Sequence, residues 1–334
     1  MDKRDVNIDL MRFIGLMLIM LAHVYPPSPI YELRLFDVPL MLFVSGLVFA
    51  RKNADFSWNY LWHRCKRLVL PVWIFFAAYF ILVFCLKYIA HIDLGVRTEH
   101  VVGSFILTDG IGFVWIIRVF LLIAIITPLL IKIKDGIKND YLFCLLISCI
   151  IVLQHILLVN KIGTGLRVFS DYVYYAFGYS VFFLMGLKIK NMHIRDIILF
   201  LVVFSIAYIV YMYVSLGHIA NGMDILTDIN YGKYPPHLGY SIYGLWGCCI
   251  TYWLVNIKHR TELPKIISFI GSNTIWIYLY HIPFVQIMWM TNLNWIIQYV
   301  FVVVMAVMVT YIQCSIVKKI QSKHDIKMLN YLKG

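Results

Sequence analysis

Two residues that could do chemistry lie in the first apolar segment of the chain, residues 6–26: an arginine, Arg12, and a histidine, His23. A charged side chain well inside a bilayer helix costs about 2.5–3.5 kcal/mol, so such residues normally line a wet cavity or a pathway. Eleven residues are about three helical turns, so both side chains should point to one face, roughly 16 Å apart along the axis. A positioned histidine can act as a general base toward a poor nucleophile such as a hydroxyl.

The elements that must position these residues are membrane helices. Of 334 residues, 62% are apolar and 14% are charged, with a mean hydropathy of +0.81. A soluble domain has roughly 25% charged residues. The apolar runs of about 17–25 residues favour an all-α bundle over an outer-membrane barrel. We predict about ten transmembrane helices, at approximately residues 8–25, 35–50, 68–87, 112–131, 141–159, 171–188, 195–215, 238–256, 266–288 and 295–317.

The net charge of +12 follows this topology and does not indicate nucleic-acid binding. If the N-terminus is inside, the inner segments carry 21 lysines and arginines and the outer segments carry six. This bias satisfies the positive-inside rule with both termini in the cytoplasm. We expect one transmembrane domain over residues 1–334, without a fused soluble domain. The seven cysteines show neither a disulfide framework nor the spacing of a zinc site, so no metal is expected.

Two further arginines, Arg64 and Arg67, are three residues apart and would share a helical face at the cytoplasmic surface. They could anchor the helix to acidic head groups, which is the simplest interpretation of their charge. They could also grip a phosphate, because guanidinium groups match phosphate oxygens. Composition does not choose between these roles.

Several polar residues inside the predicted spans have a structural as well as a functional interpretation. The Ser45-Gly46 pair favours close packing of two helices over catalysis by the serine. Arg118, which follows Trp115 in the fourth span, lies shallow enough to snorkel to the outer head groups. His155 is more typical of a packing residue.

His281 has a stronger functional case, because it lies two residues before Pro283, whose missing N–H should distort the helix beside the imidazole. The outer loop at residues 216–237 is rich in tyrosine, asparagine and aspartate. This composition could line a sugar site, and it equally suits an aromatic belt at the membrane interface.

Taken together, several stretches resemble the acyltransferase type 3 family of membrane O-acyltransferases. The arginine, ten residues, histidine pattern and the Arg-x-x-Arg motif are the most specific parts of a resemblance that spans nearly the whole chain. The stretches are residues 7–13 leading to His23, 39–46, Arg64 to Arg67 with Pro71, 112–115, and 277–283.

The resemblance implies a ten-helix fold and transfer of an acyl group, usually acetyl from cytoplasmic acetyl-CoA, to a hydroxyl of a carbohydrate. It assigns catalysis to Arg12 and His23 and the coenzyme A phosphates to Arg64 and Arg67. It further implies a multi-pass protein of the bacterial cytoplasmic membrane. The supporting candidates are Asp9, Ser45, Trp115, Arg118, Tyr278 and His281.

The expected partners are therefore acetyl-CoA as donor, membrane lipids, and a cell-surface glycan or its polyprenyl-linked precursor as acceptor. Our hypothesis is that the donor docks at Arg64 and Arg67, passes Arg12 and delivers its thioester to His23. Arg12 could instead pair with Asp9, and Arg118 or His281 could stabilise the developing oxyanion. A transporter or flippase for a lipid-linked sugar is the main alternative, because intramembrane charges also mark transport pathways.

Overall fold

The described part of the chain is built from helices. The computed structural model describes residues 5–51, 58–89, 91, 95–108, 110–257, 261–324 and 327–332. The helices are α1 Val6–Ala22, α2 Ser28–Leu33, α3 Asp37–Arg51, α4 Trp58–Ile89, α5 Thr98–Ile106, α6 Trp115–Gly136, α7 Asp140–Val159, α8 Tyr174–Lys188, α9 Ile194–Leu216, α10 Gly222–Tyr231, α11 Leu238–Ile257, α12 Lys265–Ser272, α13 Thr274–Trp289 and α14 Trp295–Gln321. A π-helical turn, Phe169–Val173, precedes α8, and short 3₁₀ turns occupy Ile189–Asn191 and Lys327–Leu332.

Within these residues, seven helical segments are long and apolar enough to cross a membrane. Several leave much of their apolar surface uncovered by protein, as lipid-facing helices do: only 28% of the apolar window of Trp295–Gln321 is buried. The chain is a multi-pass membrane protein. The segments are Ser28–Arg51, Leu61–Ile89, Trp115–Gly136, Asp140–Val159, Phe169–Asn191, Ile194–Leu216 and Trp295–Gln321.

The other three predicted spans coincide with helices that are not among these seven. Helix α1 has 17 residues and carries Asp9 and Arg12. The segment predicted at 266–288 is divided between α12 and α13 at Asn273, the N-cap of α13, whose backbone (φ −113°, ψ 29°) leaves the helical conformation. The count of ten and the side of the termini therefore stay predictions, as does membrane crossing by α1, α11 and the α12–α13 segment.

Two helices lie in segments where the sequence interpretation placed none. Helix α5 lies between the predicted spans 68–87 and 112–131, and α10 lies within the predicted outer loop 216–237. Asn221 caps α10 by accepting bonds from the main-chain N–H groups of Met223 and Asp224. The basic residues of the topology count that lie outside the described residues are Lys3, Arg4, Lys52, Lys258, Arg260 and Lys333, together with the side chain of Lys327.

The chain divides into two compact units, Met1–Phe56 with Ile125–Gly271, and Ser57–Ala124 with Ser272–Gly334. In the first unit, α3 packs against α8, α1 and α11, and α7 packs against α8 and α9. The backbones of α3 and α8 cross so closely that a Cβ at Gly46 would lie 2.2 Å from the carbonyl oxygen of Phe183. A Cβ at Gly186 would lie 2.0 Å from that of Phe43. The predicted packing role of the Ser45-Gly46 pair is confirmed at Gly46.

The second unit is organised around α13, which packs against α14 and α4. Helix α4 in turn contacts α5, and the C-terminal 3₁₀ turn lies against α14 and α4. Helix α13 continues through Pro283 without a break in its assigned helical residues. A transmembrane-type helix tolerates proline where neighbouring helices cover the freed backbone group.

Candidate active site

The start of α1 is tied to its neighbours by polar contacts. Asp5 caps the helix by accepting bonds from the N–H groups of Asn7 (2.8 Å) and Ile8 (3.2 Å), and it pairs with Arg51 at the end of α3. The Asn7 amide donates to the side-chain oxygen of Asn256 near the end of α11 (3.0 Å). These bonds fix the rotation of α1 and hence the direction in which its polar residues point.

One turn further along α1, Arg12 forms the ion pair with Asp9 that sequence spacing suggested. Arg12 Nη1 lies 3.8 Å from Asp9 Oδ1. The Asp9 side chain is 4% exposed, whereas that of Arg12 is 33% exposed. The carboxylate is thus buried against the protein while the guanidinium keeps an accessible side. Gly271 allows this burial, because a Cβ there would meet the Asp9 carbonyl oxygen at 2.3 Å.

The sequence predicted that His23 lies inside a helix that continues to residue 25. In the structure, His23 lies immediately after the end of α1. The helix ends at Ala22, and His23 is its C-cap with helical dihedral angles, its N–H donating to the Met20 carbonyl oxygen (3.2 Å). The prolines at 26, 27 and 29 end the helix as expected. His23 is half-buried at this position.

Ser45 lies on α3 beside the close crossing with α8 and is half-buried. Its neighbourhood is set by helix packing, which is the simpler of its two predicted roles. A part in catalysis for Ser45 stays a prediction.

In the second unit, Arg64 and Arg67 lie on α4, three residues apart and therefore on one face. Arg64 is half-buried and Arg67 is exposed. Between them, the Lys66 ammonium lies 4.6 Å from the centre of the Trp62 ring. The helix therefore presents two guanidinium groups with a shared direction and adds a third cation, an arrangement suited to phosphate oxygens.

The same unit brings together two stretches that the sequence singled out separately. The Tyr278 hydroxyl donates to the main-chain oxygen of Phe113 (2.6 Å), and the Phe113 ring packs edge-on against the imidazole of His281, with centroids 5.5 Å apart. His281 is fully buried, and its Nδ1 contacts the Tyr278 carbonyl oxygen. A packing role accounts for these contacts, because the imidazole is enclosed by aromatic rings and by its own helix.

Trp115 and Arg118 occupy the first turn of α6, which begins at Trp115. Arg118 is 9% exposed. The predicted snorkelling of Arg118 to outer head groups is at odds with this burial, because a snorkelling guanidinium reaches water. Roles for both residues near the reacting groups stay predictions.

The sequence interpretation missed a buried charge cluster, Arg34–Asp37–Lys233, in the first unit. Arg34 Nη1 donates to Asp37 Oδ2 (2.6 Å), and Lys233 Nζ lies 3.2 Å from Asp37 Oδ1. All three side chains are at most 3% exposed. Burial lowers the pKa of Lys233 to about 8, although the Asp37 carboxylate opposes this shift. The cluster joins the segment that follows His23 to the loop between α10 and α11.

Fold and polar residues together define a polytopic helical membrane protein with an ion pair in its first helix and a paired-arginine helix in its second unit. Comparison with protein families matches residues 5–314 to a family described as an acyltransferase domain. The chain belongs to the acyltransferase type 3 family, and it is a membrane acyltransferase. Neither the curated proteins nor the solved structures contain a significant match to it.

Proposed function

We propose that the chain is an O-acetyltransferase of the bacterial cytoplasmic membrane, which moves an acetyl group from cytoplasmic acetyl-CoA to a hydroxyl of a cell-surface glycan or its lipid-linked precursor. The observation that carries the proposal is the family match over residues 5–314. This range includes Arg12, His23, Arg64 and Arg67, the residues at which the sequence resembles the motifs of the family. The proposal includes a topology of ten membrane spans with both termini in the cytoplasm.

His23 acts as the general base in this proposal. Its imidazole takes the proton of the acceptor hydroxyl as the oxygen attacks the thioester carbonyl carbon, the C–S bond breaks, and the coenzyme A thiolate leaves and takes up a proton. A positioned base contributes about 10²–10⁴-fold to such a step. The position of His23 at the end of α1, where the residue is half-buried and not enclosed, supports this role.

Arg12 contributes a fixed positive charge. Its ion pair with buried Asp9 keeps the guanidinium beside α1 while leaving part of it accessible. A preorganised cation stabilises negative charge that develops on the donor. Asp9 therefore acts as a positioning residue for Arg12.

Arg64 and Arg67 bind the phosphates of coenzyme A. Phosphate oxygens accept charge-assisted hydrogen bonds from guanidinium groups, and two guanidinium groups on one helical face can engage the same anionic ligand. The nearby Lys66 ammonium strengthens the local positive potential.

The binding role is tested with purified protein in lipid nanodiscs. Acetyl-CoA should raise the melting temperature of the wild type, because a ligand that binds the folded state stabilises it. The shift should vanish in the double variant Arg64→Ala/Arg67→Ala. Lys318→Ala/Lys319→Ala is the matched control, because it also removes two basic residues from one helix, here two exposed lysines at the end of α14, and should keep the shift.

Absence of a shift in well-folded wild type at saturating acetyl-CoA would contradict the proposal and favour transport of a glycan. Equal loss of the shift in both double variants would show that bulk positive charge, and not a site at Arg64 and Arg67, attracts the donor.

A further inference from the structure

A cluster of polar side chains, which the mechanism above does not use, surrounds His155 in the last turns of α7. The His155 ring meets Tyr211 of α9 edge-on, with centroids 4.9 Å apart, and it meets His237 edge-on at 5.5 Å. His237 directly precedes α11. Three helical elements of the first unit thus converge on one imidazole.

Both ring nitrogens of His155 are shielded from solvent and have no hydrogen-bond partner in the described part of the chain. A neutral imidazole carries one donor and one acceptor. A buried donor or acceptor left without a partner destabilises the protein, and a phenylalanine ring in the same contacts would carry no such penalty. Packing alone therefore does not account for a histidine at this position.

The neighbouring residue, Gln154, has the same feature. Its side chain is 1% exposed; Nε2 donates to the Tyr174 carbonyl oxygen (3.1 Å), while Oε1 has no partner among the described residues. A Cβ on Gly178 would touch both Gln154 Nε2 and Pro236 Cδ at 3.1 Å, so Pro236 packs over the amide. Two neighbouring side chains of α7, Gln154 and His155, thus have unused hydrogen-bonding atoms and lie against the 232–237 segment.

Further polar groups border the same segment. The Tyr208 hydroxyl donates to Asp228 Oδ2 (2.7 Å), and Gly239 leaves space for both, because a Cβ there would lie 2.4 Å from that carboxylate oxygen. Burial lowers the pKa of His237, and the Asp228 carboxylate opposes the shift. The cluster therefore offers neutral donors and acceptors plus one carboxylate. The lysine of the 232–237 segment, Lys233, is already paired with Asp37 and so does not supply this cluster with a cation for a phosphate.

Hydroxyl groups of a sugar fit this chemistry. Each hydroxyl donates and accepts hydrogen bonds, so neighbouring hydroxyls can satisfy an imidazole and an amide oxygen together. Among the described residues, no three His, Cys, Asp or Glu side chains are grouped to hold a metal ion, so a metal does not explain the cluster.

We propose that His155 and Gln154, with His237 beside them, form a subsite that binds hydroxyl groups of the glycan acceptor. The subsite rests on the proposed acyltransferase function and extends it by assigning residues to the acceptor. His155 binds by its nitrogens, while Tyr211 and His237 hold its ring in place.

The variant His155→Phe tests the subsite, because it keeps an aromatic ring in the edge-on contacts and removes both nitrogens. The assay follows radiolabelled acetyl from acetyl-CoA to polysaccharide that is extracted from the host strain and de-O-acetylated with mild alkali. We expect the KM for polysaccharide to rise about tenfold or more, from the loss of one or two hydrogen bonds. The KM for acetyl-CoA should not change, and the melting temperature should be equal or higher.

The control is His324→Phe, which changes an exposed histidine after α14 and should leave both KM values unchanged. An unchanged polysaccharide KM in His155→Phe would overturn the subsite while transfer by the wild type continues. Failure of the wild type itself to label polysaccharide would instead overturn the proposed function. If His155→Phe does not fold, His155→Gln and His155→Met replace it: the amide variant should have the lower polysaccharide KM, and equal values would overturn the subsite.

Discussion

Replacing Asp37 with asparagine should destabilise the protein strongly, because the Asp37 carboxylate lies between two buried cations. The side chains of Arg34, Asp37 and Lys233 are each 2–3% exposed, and Asp37 is 2.6 Å from one cation and 3.2 Å from the other. Removing one partner of a buried ion pair costs about 3–5 kcal/mol, since it leaves an uncompensated buried charge. We expect a loss of this size in the free energy of unfolding of Asp37→Asn.

The measurement is unfolding of purified protein in detergent, compared with two other variants. Lys233→Met should cost less than half as much stability as Asp37→Asn. The Arg34–Asp37 pair survives in this variant, and the substitution removes a cation whose burial away from water is unfavourable. Adding Lys233→Met to Asp37→Asn should recover part of the loss. Asp135→Asn is the control: this carboxylate pairs with Lys134 but is 59% exposed, so its loss should cost at most about 1 kcal/mol.

The reasoning would be refuted if Asp37→Asn and Asp135→Asn lost equal stability. It would also be refuted if the double variant at Asp37 and Lys233 were less stable than Asp37→Asn alone. Either result would mean that the carboxylate does not hold the two cations in the folded protein.

Three further predictions can be checked in unfolding experiments. Gly46→Ala should lower the free energy of unfolding by about 1–3 kcal/mol or more, because its Cβ would overlap the Phe183 carbonyl oxygen. The control Gly136→Ala has open space around it and should be neutral. Equal effects of the two substitutions would contradict the close crossing of α3 and α8. Burial lowers the pKa of Lys233 from 10.5 to about 8, so the unfolded chain binds more protons between these values and wild-type stability should rise relative to Lys233→Met from about pH 8 to about pH 10. A flat difference would contradict that shift. Tyr278→Phe removes a buried hydrogen bond to a main-chain carbonyl and should cost about 1–3 kcal/mol; a loss near zero would contradict this bond.

The sequence predicted features that depend on local chemistry. The apolar runs predicted the long helices, and the prolines after His23 predicted the end of α1 to within a few residues. The spacing of Asp9 and Arg12 gave their ion pair, because residues three apart on a helix are neighbours. Gly46 gave a close helix contact without identifying α8 as its partner.

Features that depend on contacts between distant residues were not predictable from the sequence. Lys233 pairs with Asp37 across 196 positions of sequence. Considered one at a time in the sequence, the two residues look like ordinary charges in a loop and at a helix end. His155 was interpreted as a packing residue because the sequence does not show that His237, on another element, lies beside it. The helices α5 and α10 escaped notice because their segments are short and polar enough to suggest loops.

The central claim is tested most directly by the O-acetyl content of the host's cell-surface glycan in cells that carry His23→Ala. The glycan is analysed by NMR, with wild type, a deletion strain and the control His324→Ala, an exposed histidine after α14, compared at equal protein levels in the membrane. Loss of a general base lowers the rate about 10²–10⁴-fold, so His23→Ala should match the deletion strain and His324→Ala should match the wild type. Normal O-acetylation in His23→Ala would contradict the account.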